Sequence, residues 1–165
     1  METSVLVEGF IKAMTSYGGD YYDDYNSFWN AQNEVMYKVW LDEQPKVKDV
    51  VLYRGYTFNE DYYNDACFEV GAVVGVDALT QEFMPSFTDS PLRAIRYIND
   101  YGDVGFDSSV RVYFVINTNG KSFVDISSLS RYPEENEYKC TDDVVLRVTN
   151  IERMPNYWQI TLNEE

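Results

Sequence analysis

Histidine is absent from all 165 residues. That excludes Ser-His-Asp and Cys-His nucleophile systems, His-based zinc sites and any catalytic imidazole. Cysteine is scarce: Cys67 and Cys140 stand far apart and form no Cys-x-x-Cys unit. The two could pair, but the reduced, cytoplasmic reading is the better default. Positive charge is also in short supply. Thirteen Lys and Arg stand against 28 Asp and Glu, for a formal net charge of −15. This opposes the counterion displacement that a sequence-independent nucleic-acid binder needs, so no nucleic-acid partner is expected. No apolar run approaches the roughly 18 residues that span a bilayer, so no membrane partner is expected either. Glu2 and Glu8 occupy the first residues, where a secretory signal would be basic.

Two nucleotide signatures are missing as well. Gly71 and Gly75 do not make a Gly-x-Gly-x-x-Gly, so a dinucleotide site of the Rossmann type is excluded. Gly120-Lys121-Ser122 ends like a P-loop, but the first glycine of that motif would fall at position 115, which is Val. What remains for chemistry is Asp and Glu, Arg and Lys, Ser and Thr, and Tyr.

The chain has material for a core. Apolar residues make up 45% and aromatics 16%, which opposes disorder despite the charge. Its length suits a single domain over residues 1–165. Residues 1–45 read as mostly helical, with one apolar stripe at Val5, Phe10, Ala13 and Met14 and another at Phe28, Trp29, Val35, Met36, Val39, Trp40 and Leu41. The segment from Tyr17 to Tyr25, with Gly18-Gly19 and its acids, separates them, and Pro45 closes the second helix.

From Val50 onward short strands take over. Val50–Tyr56 is β-branched and aromatic, Phe68–Val76 is strand or buried loop, and Val110–Ile116 is the clearest strand. Asn119-Gly120 offers a two-residue hairpin turn into Ser122–Ile126. Residues 90–101 predict a helix, with Ser90 at the N-cap and Pro91 in the first turn. Glu137–Cys140, Val144–Ile151 and Tyr157–Leu162 complete a strand-rich second half. Helices first and strands later imply an α+β protein.

The acidic doublets Asp23-Asp24, Asp42-Glu43, Asp142-Asp143 and Glu164-Glu165 are common by chance at this composition and read as solvated surface. Three other segments differ. Leu52-Tyr53-Arg54-Gly55-Tyr56 places an arginine on a strongly β-prone strand with a glycine after it. Ser86-Phe87-Thr88 puts two hydroxyls at two-residue spacing, hence on one face of a strand, just before the capped helix. Glu135-Asn136-Glu137 places two carboxylates at the entry to a strand, after the loop Ser127–Pro133. Alone, each has a plainer reading: a paired surface arginine, Ser/Thr turn chemistry, an acidic loop.

Together and in this order, the three segments resemble the mono-ADP-ribosyltransferase family. More narrowly they resemble its Arg–Ser–Glu branch, which includes clostridial and cholera-type toxins and T-even phage enzymes. The likeness runs from Val50 to Ile151. Arg54 falls on the family's strand arginine, Ser86-Phe87-Thr88 on its Ser-Thr-Ser element, and Pro91-x-x-Ala94-x-x-Tyr97 on the helix that follows. Glu135-Asn136-Glu137 falls on its Glu-x-Glu motif, although the strand then continues Tyr138-Lys139-Cys140 instead of a longer apolar run. Without histidine, the His–Tyr–Glu branch is excluded.

The resemblance implies an α+β fold with a split, mixed and antiparallel β-sheet core over residues 46–165, preceded by the helical segment 1–45. It implies NAD as substrate, release of nicotinamide, no metal, and transfer of ADP-ribose to a host or target protein in the cytoplasm. Arg54 would grip the pyrophosphate with two donors. Gly55, with no Cβ, would let the backbone approach the nicotinamide amide. Phe83, Phe87 and Tyr132 are candidates for stacking on the nicotinamide ring. Glu137 would stabilise the oxocarbenium-like cation and bond the ribose 2′-OH. Ser86 would orient Glu137, Thr88 would support the site, and Glu135 would accept the acceptor's proton. In the family, glutamate at that place goes with arginine acceptors. The competing reading is an acidic binding or inhibitor protein that docks on a basic partner and catalyses nothing.

Overall fold

The computed structural model of the chain describes residues 31–81, 85–101, 109–129, 134 and 136–165. The Val5–Met14 stripe, the Tyr17–Tyr25 break, Phe28, Trp29, Phe83, Tyr132 and Glu135 lie outside the described residues. Helix α1 spans Ala31–Glu43. It stops two residues short of Pro45, whose ring disfavours helical backbone in the residue before it. The end is satisfied locally: Gln44 Nε2 donates to Trp40 O at 3.0 Å and Lys46 Nζ donates to Asp42 O at 2.8 Å. Over residues 35–43, Tyr37 and Leu41, one turn apart, are its buried residues, whereas Val35 and Val39 of the expected stripe are exposed.

Strand β1 runs over Lys48–Asn59, longer at both ends than the apolar pattern predicts. Its buried residues Leu52, Arg54, Tyr56 and Phe58 alternate along one face of the strand, and Gly55 is buried on the other. Asn59 ends it by capping a second helix, α2 at Glu60–Ala66: its side chain accepts from Asp61 N–H at 2.9 Å. The sequence pattern shows only a strand break here, because seven residues without a buried position have no apolar period to read. Strand β2 (Val73–Val74) and a 3₁₀ turn (Val76–Ala78) follow. Then come β3 (Ser86–Thr88) and helix α3 (Pro91–Tyr101). Ser90 caps α3 as expected, its Oγ accepting from Arg93 N–H at 3.3 Å. Strands β4 (Ser109–Asn119), β5 (Phe123–Asp125), β6 (Glu137–Cys140), β7 (Leu146–Arg153) and β8 (Trp158–Glu164) complete the order.

All eight strands form one sheet in the order β2-β7-β8-β4-β1-β3-β6-β5. The pairs are antiparallel except β4 with β8, so the sheet is mixed. Its weak seam lies between β1 and β3, which share the single register pair Tyr53↔Thr88, whereas β1 pairs with β4 along nearly its whole length. The sheet is thus split into a broad half and a short β3-β6-β5 half. Phe58, Phe87, Phe114, Phe123 and Leu146 anchor the main core.

One turn differs from expectation. Asn119-Gly120 does not fold β5 back onto β4; β5 pairs with β6 at the far edge of the sheet. The favoured two-residue hairpin turn with Asn-Gly needs positive φ at both residues, and here only Gly120 has it, at 79°. Gly120 N–H donates to Val47 O at 2.9 Å, and Glu164 Oε1 accepts from Asn119 N–H at 2.6 Å. These bonds steer the chain across to the other half of the sheet.

Helix α3 lies against β1 and β4 through Ala94 and Ile98, which pack with Tyr113. The close approach depends on Gly55. A Cβ there would sit 2.3 Å from the Ala94 carbonyl oxygen and 2.6 Å from Ile98 Cγ1. Gly55→Ala is therefore expected to destabilise the fold by about 1–3 kcal/mol, the usual cost of overpacking. Thermal unfolding checks it, and an unchanged Tm contradicts the close packing.

Candidate active site

Strands β3 and β6 pair with Ser86 opposite Lys139, Phe87 opposite Tyr138 and Thr88 opposite Glu137. Directly opposed residues share a face of the sheet. Ser86, Thr88, Glu137 and Lys139 therefore stand together, while Phe87, Tyr138 and Cys140 turn into the main core. Ser86 Oγ donates to Glu137 Oε2 at 3.2 Å. Lys139 Nζ donates to the same Oγ at 2.7 Å and lies 3.5 Å from Glu137 Oε2. Both charged side chains are almost fully buried, at 3–4% exposure.

Arg54 reaches this group from the broad half of the sheet. Its Nε donates to Leu79 O at 2.9 Å and its Nη1 to Ser86 O at 3.1 Å. The guanidinium carbon lies 4.5 Å from the Tyr56 ring centroid and 6.0 Å from that of Phe87, so two aromatic rings flank the cation. Ser86 is the junction: its carbonyl takes the arginine, and its hydroxyl takes the lysine and meets the carboxylate. Arg54, Glu137, Lys139 and Glu164 are the buried charged side chains among the described residues. Three of the four meet at Ser86. Two are cations, within a chain of net charge −15.

Burial sets the protonation behaviour around the cluster. It lowers the Lys139 pKa from the usual lysine value; Glu137 opposes that shift, and Arg54 adds to it. Burial pushes the Cys140 thiol up to about 12, which removes it as a nucleophile near neutral pH. Tyr37 is likewise raised well above its usual value, chiefly by burial and then by Cys140 and Glu137. Tyr138 is raised to about 12 by burial and by Asp89, whose Oδ2 accepts from the Tyr138 hydroxyl at 3.2 Å.

By sequence, no protein-family model and no curated protein matches the chain. Solved structures do match. The ADP-ribosyltransferase Vis, a toxin from Vibrio splendidus, in complex with the M6 inhibitor superposes with a TM-score of 0.70 at 25% identity, covering 99% of this chain and 72% of that one. The chain has the ADP-ribosyltransferase fold. Vis bound to agmatine matches at TM-score 0.64 and 22% identity, covering 100% of this chain and 69% of that one. Exoenzyme S from Pseudomonas aeruginosa, in complex with human 14-3-3 protein beta and bound to carba-NAD, gives 0.60 at 17%, covering 98% and 88%.

Within this ADP-ribosyltransferase fold, Arg54, Ser86 and Glu137, far apart in the chain, are linked through Ser86, and Thr88 lies directly across from Glu137. Thr88 Oγ1 also accepts from Ser90 N–H at 3.2 Å, so it shapes the entry to α3. Two expectations change. The space that Gly55 leaves is filled by α3, so its missing Cβ serves helix packing instead of nicotinamide approach. Its backbone still lies beyond Tyr53, where β1 makes no register pair with β3. Phe87 is 2% exposed and packs edge to face on Phe123 with ring centroids 5.1 Å apart. It is core, and no ring could stack on it. Glu135, Phe83 and Tyr132 lie outside the described residues.

Sequence reasoning missed Lys139 as a member of the site. The signal was present in its two-residue spacing from Glu137, but only the β3–β6 register places it beside Ser86. It also missed that Arg54 binds backbone carbonyls of two segments. Arg54→Lys keeps the charge, but a single ammonium cannot reproduce the planar fork that reaches both Leu79 O and Ser86 O. Losing one charge-assisted bond is expected to cost about 1.5–3 kcal/mol of unfolding free energy. Denaturant titration measures it, and wild-type stability in that variant contradicts the assignment.

Proposed function

We propose that the chain is a mono-ADP-ribosyltransferase of the Arg–Ser–Glu branch, with residues 46–165 as catalytic core, which transfers ADP-ribose from NAD to arginine on a protein. The observation that carries the reading is the junction at Ser86. One short strand links the guanidinium that would anchor a dinucleotide to the carboxylate that would stabilise its cleavage. Two phosphates approaching an acidic chain need a fixed cation. Arg54 is the buried cation held at this split, and a guanidinium can grip phosphate oxygens with two donors.

The nicotinamide–ribose bond breaks with its electron pair going to the nicotinamide nitrogen, and positive charge develops on the ribose. Glu137, held at Oε2 by Ser86, supplies the negative charge that favours this cation and accepts from the 2′-OH. A guanidinium nitrogen of the acceptor then bonds the anomeric carbon, and Glu135 takes its proton. Agmatine, found bound to Vis, carries a guanidinium, which supports an arginine-like acceptor here. The proposed partner is a target protein of the host, met in its cytoplasm. No helix among the described residues is long and apolar enough to cross a membrane.

Labelled NAD incubated with the purified chain and a bacterial lysate is expected to yield protein carrying ADP-ribose on arginine, read by mass spectrometry. Nicotinamide release without any adduct would indicate hydrolysis instead. Glu137→Gln is expected to lower the rate at least about 100-fold while far-UV circular dichroism stays the same. The acidic-binder alternative predicts that this substitution is harmless. Chelation is expected to leave the rate unchanged, since Arg54 takes the phosphate role that a divalent cation often fills; a loss of activity on chelation would contradict the mechanism.

A further inference from the structure

We propose that Lys139 is a positioning residue, resting on the transferase reading above: its ammonium fixes the Ser86 hydroxyl as a hydrogen-bond donor to Glu137 and so holds the carboxylate for the ribose. An ammonium offers donors only, and a serine hydroxyl has one proton to give. With Lys139 Nζ donating into Ser86 Oγ at 2.7 Å, that proton must point elsewhere, and Glu137 Oε2 stands at 3.2 Å to receive it. A free serine would rotate between donating and accepting. Here the direction is set, toward the carboxylate.

Among the described residues, both polar contacts of the Glu137 carboxylate fall on Oε2, so Oε1 is the oxygen left for substrate. The lysine is buried at the third position of a four-residue strand, between the catalytic carboxylate and a core thiol. Burying an ammonium is costly unless it is paired, and its pairing here is with the two proposed site residues themselves.

The groups that face Lys139 define its pH behaviour. Glu137 and Cys140 act from β6 and Arg54 from β1, Ser86 bonds it from β3, and Tyr37 of α1 lies within electrostatic reach of Glu137 and Cys140. Burial keeps the thiol and the phenol neutral, and the guanidinium stays charged. Lys139 is thus the group expected to titrate on the alkaline side, below the value of a free lysine near about 10.4.

The test is steady-state nicotinamide release from NAD by wild type, Lys139→Met and Lys139→Arg, from about pH 6 to about pH 10. Lys139→Met is expected to lose roughly 10- to 100-fold in kcat with little change in KM for NAD. Lys139→Arg is expected to retain most of kcat and to lack the alkaline fall that wild type shows. A kcat for Lys139→Met equal to or above wild type overturns the proposal, and a rate above wild type would make the ammonium a brake on Glu137. An alkaline fall that persists in Lys139→Arg overturns it as well. Should neither variant fold, the wild-type profile decides, since activity that holds steady up to the free-lysine value is the contrary result. A wild-type chain that releases no nicotinamide at any pH overturns the transferase reading itself, a result distinct from an active enzyme indifferent to Lys139.

Discussion

Between β1 and β3 the sheet is joined by one register pair, Tyr53 with Thr88, and by the guanidinium of Arg54. A long ladder would close the split and leave no gap for a ligand. Arg54 substitutes for it with directed bonds to Leu79 O and Ser86 O, each from a charged donor to a backbone carbonyl. A side chain that stitches the two halves together is also the cation nearest the split. Structural closure and, in the proposed reading, the grip on an anionic ligand rest on one residue, and the flanking rings of Tyr56 and Phe87 confine it.

The cluster around Ser86 holds three of the four buried charged side chains among the described residues. Isolated, any of these three groups would be strongly disfavoured in a low-dielectric interior. Together they are tolerable, because the carboxylate lies near the lysine, the lysine donates to the hydroxyl, and the arginine has carbonyl partners. Such a group is a poor way to stabilise a sheet and a good way to hold a carboxylate in one orientation. The short half of the sheet supplies it with a rigid base, since Phe87 and Phe123 pack in the core directly behind β3.

Strand β3 couples the site to its surroundings. Within three residues it provides the Ser86 junction, the Phe87 core contact and the Thr88 hydroxyl that bonds Ser90 N–H at the start of α3. Helix α3 in turn presses on Gly55, next to Arg54. Arg93 Nη2 also donates to Glu134 O at 3.2 Å, which ties the helix to the chain just before β6. Helix α3 thereby touches both sides of the split.

Much was legible in the residues alone. β-Branched and aromatic content marks β1 and β4, Ser90-Pro91 marks the start of α3, and the two-residue spacing of Ser86 and Thr88 puts both on one face. These are local properties, set by propensity, capping and pleat within a few neighbours. The path after Asn119-Gly120 was not legible, because Glu164 and Val47 decide it from distant parts of the chain. Nor were the partners of Gly55 and Phe87: a missing Cβ or a ring looks the same in sequence whether it meets a ligand, a helix or a core. The meeting of Arg54 and Lys139 at Ser86 belongs to the tertiary structure entirely. It depends on which strands become neighbours and in what register, and long-range pairing leaves no periodic trace along the chain.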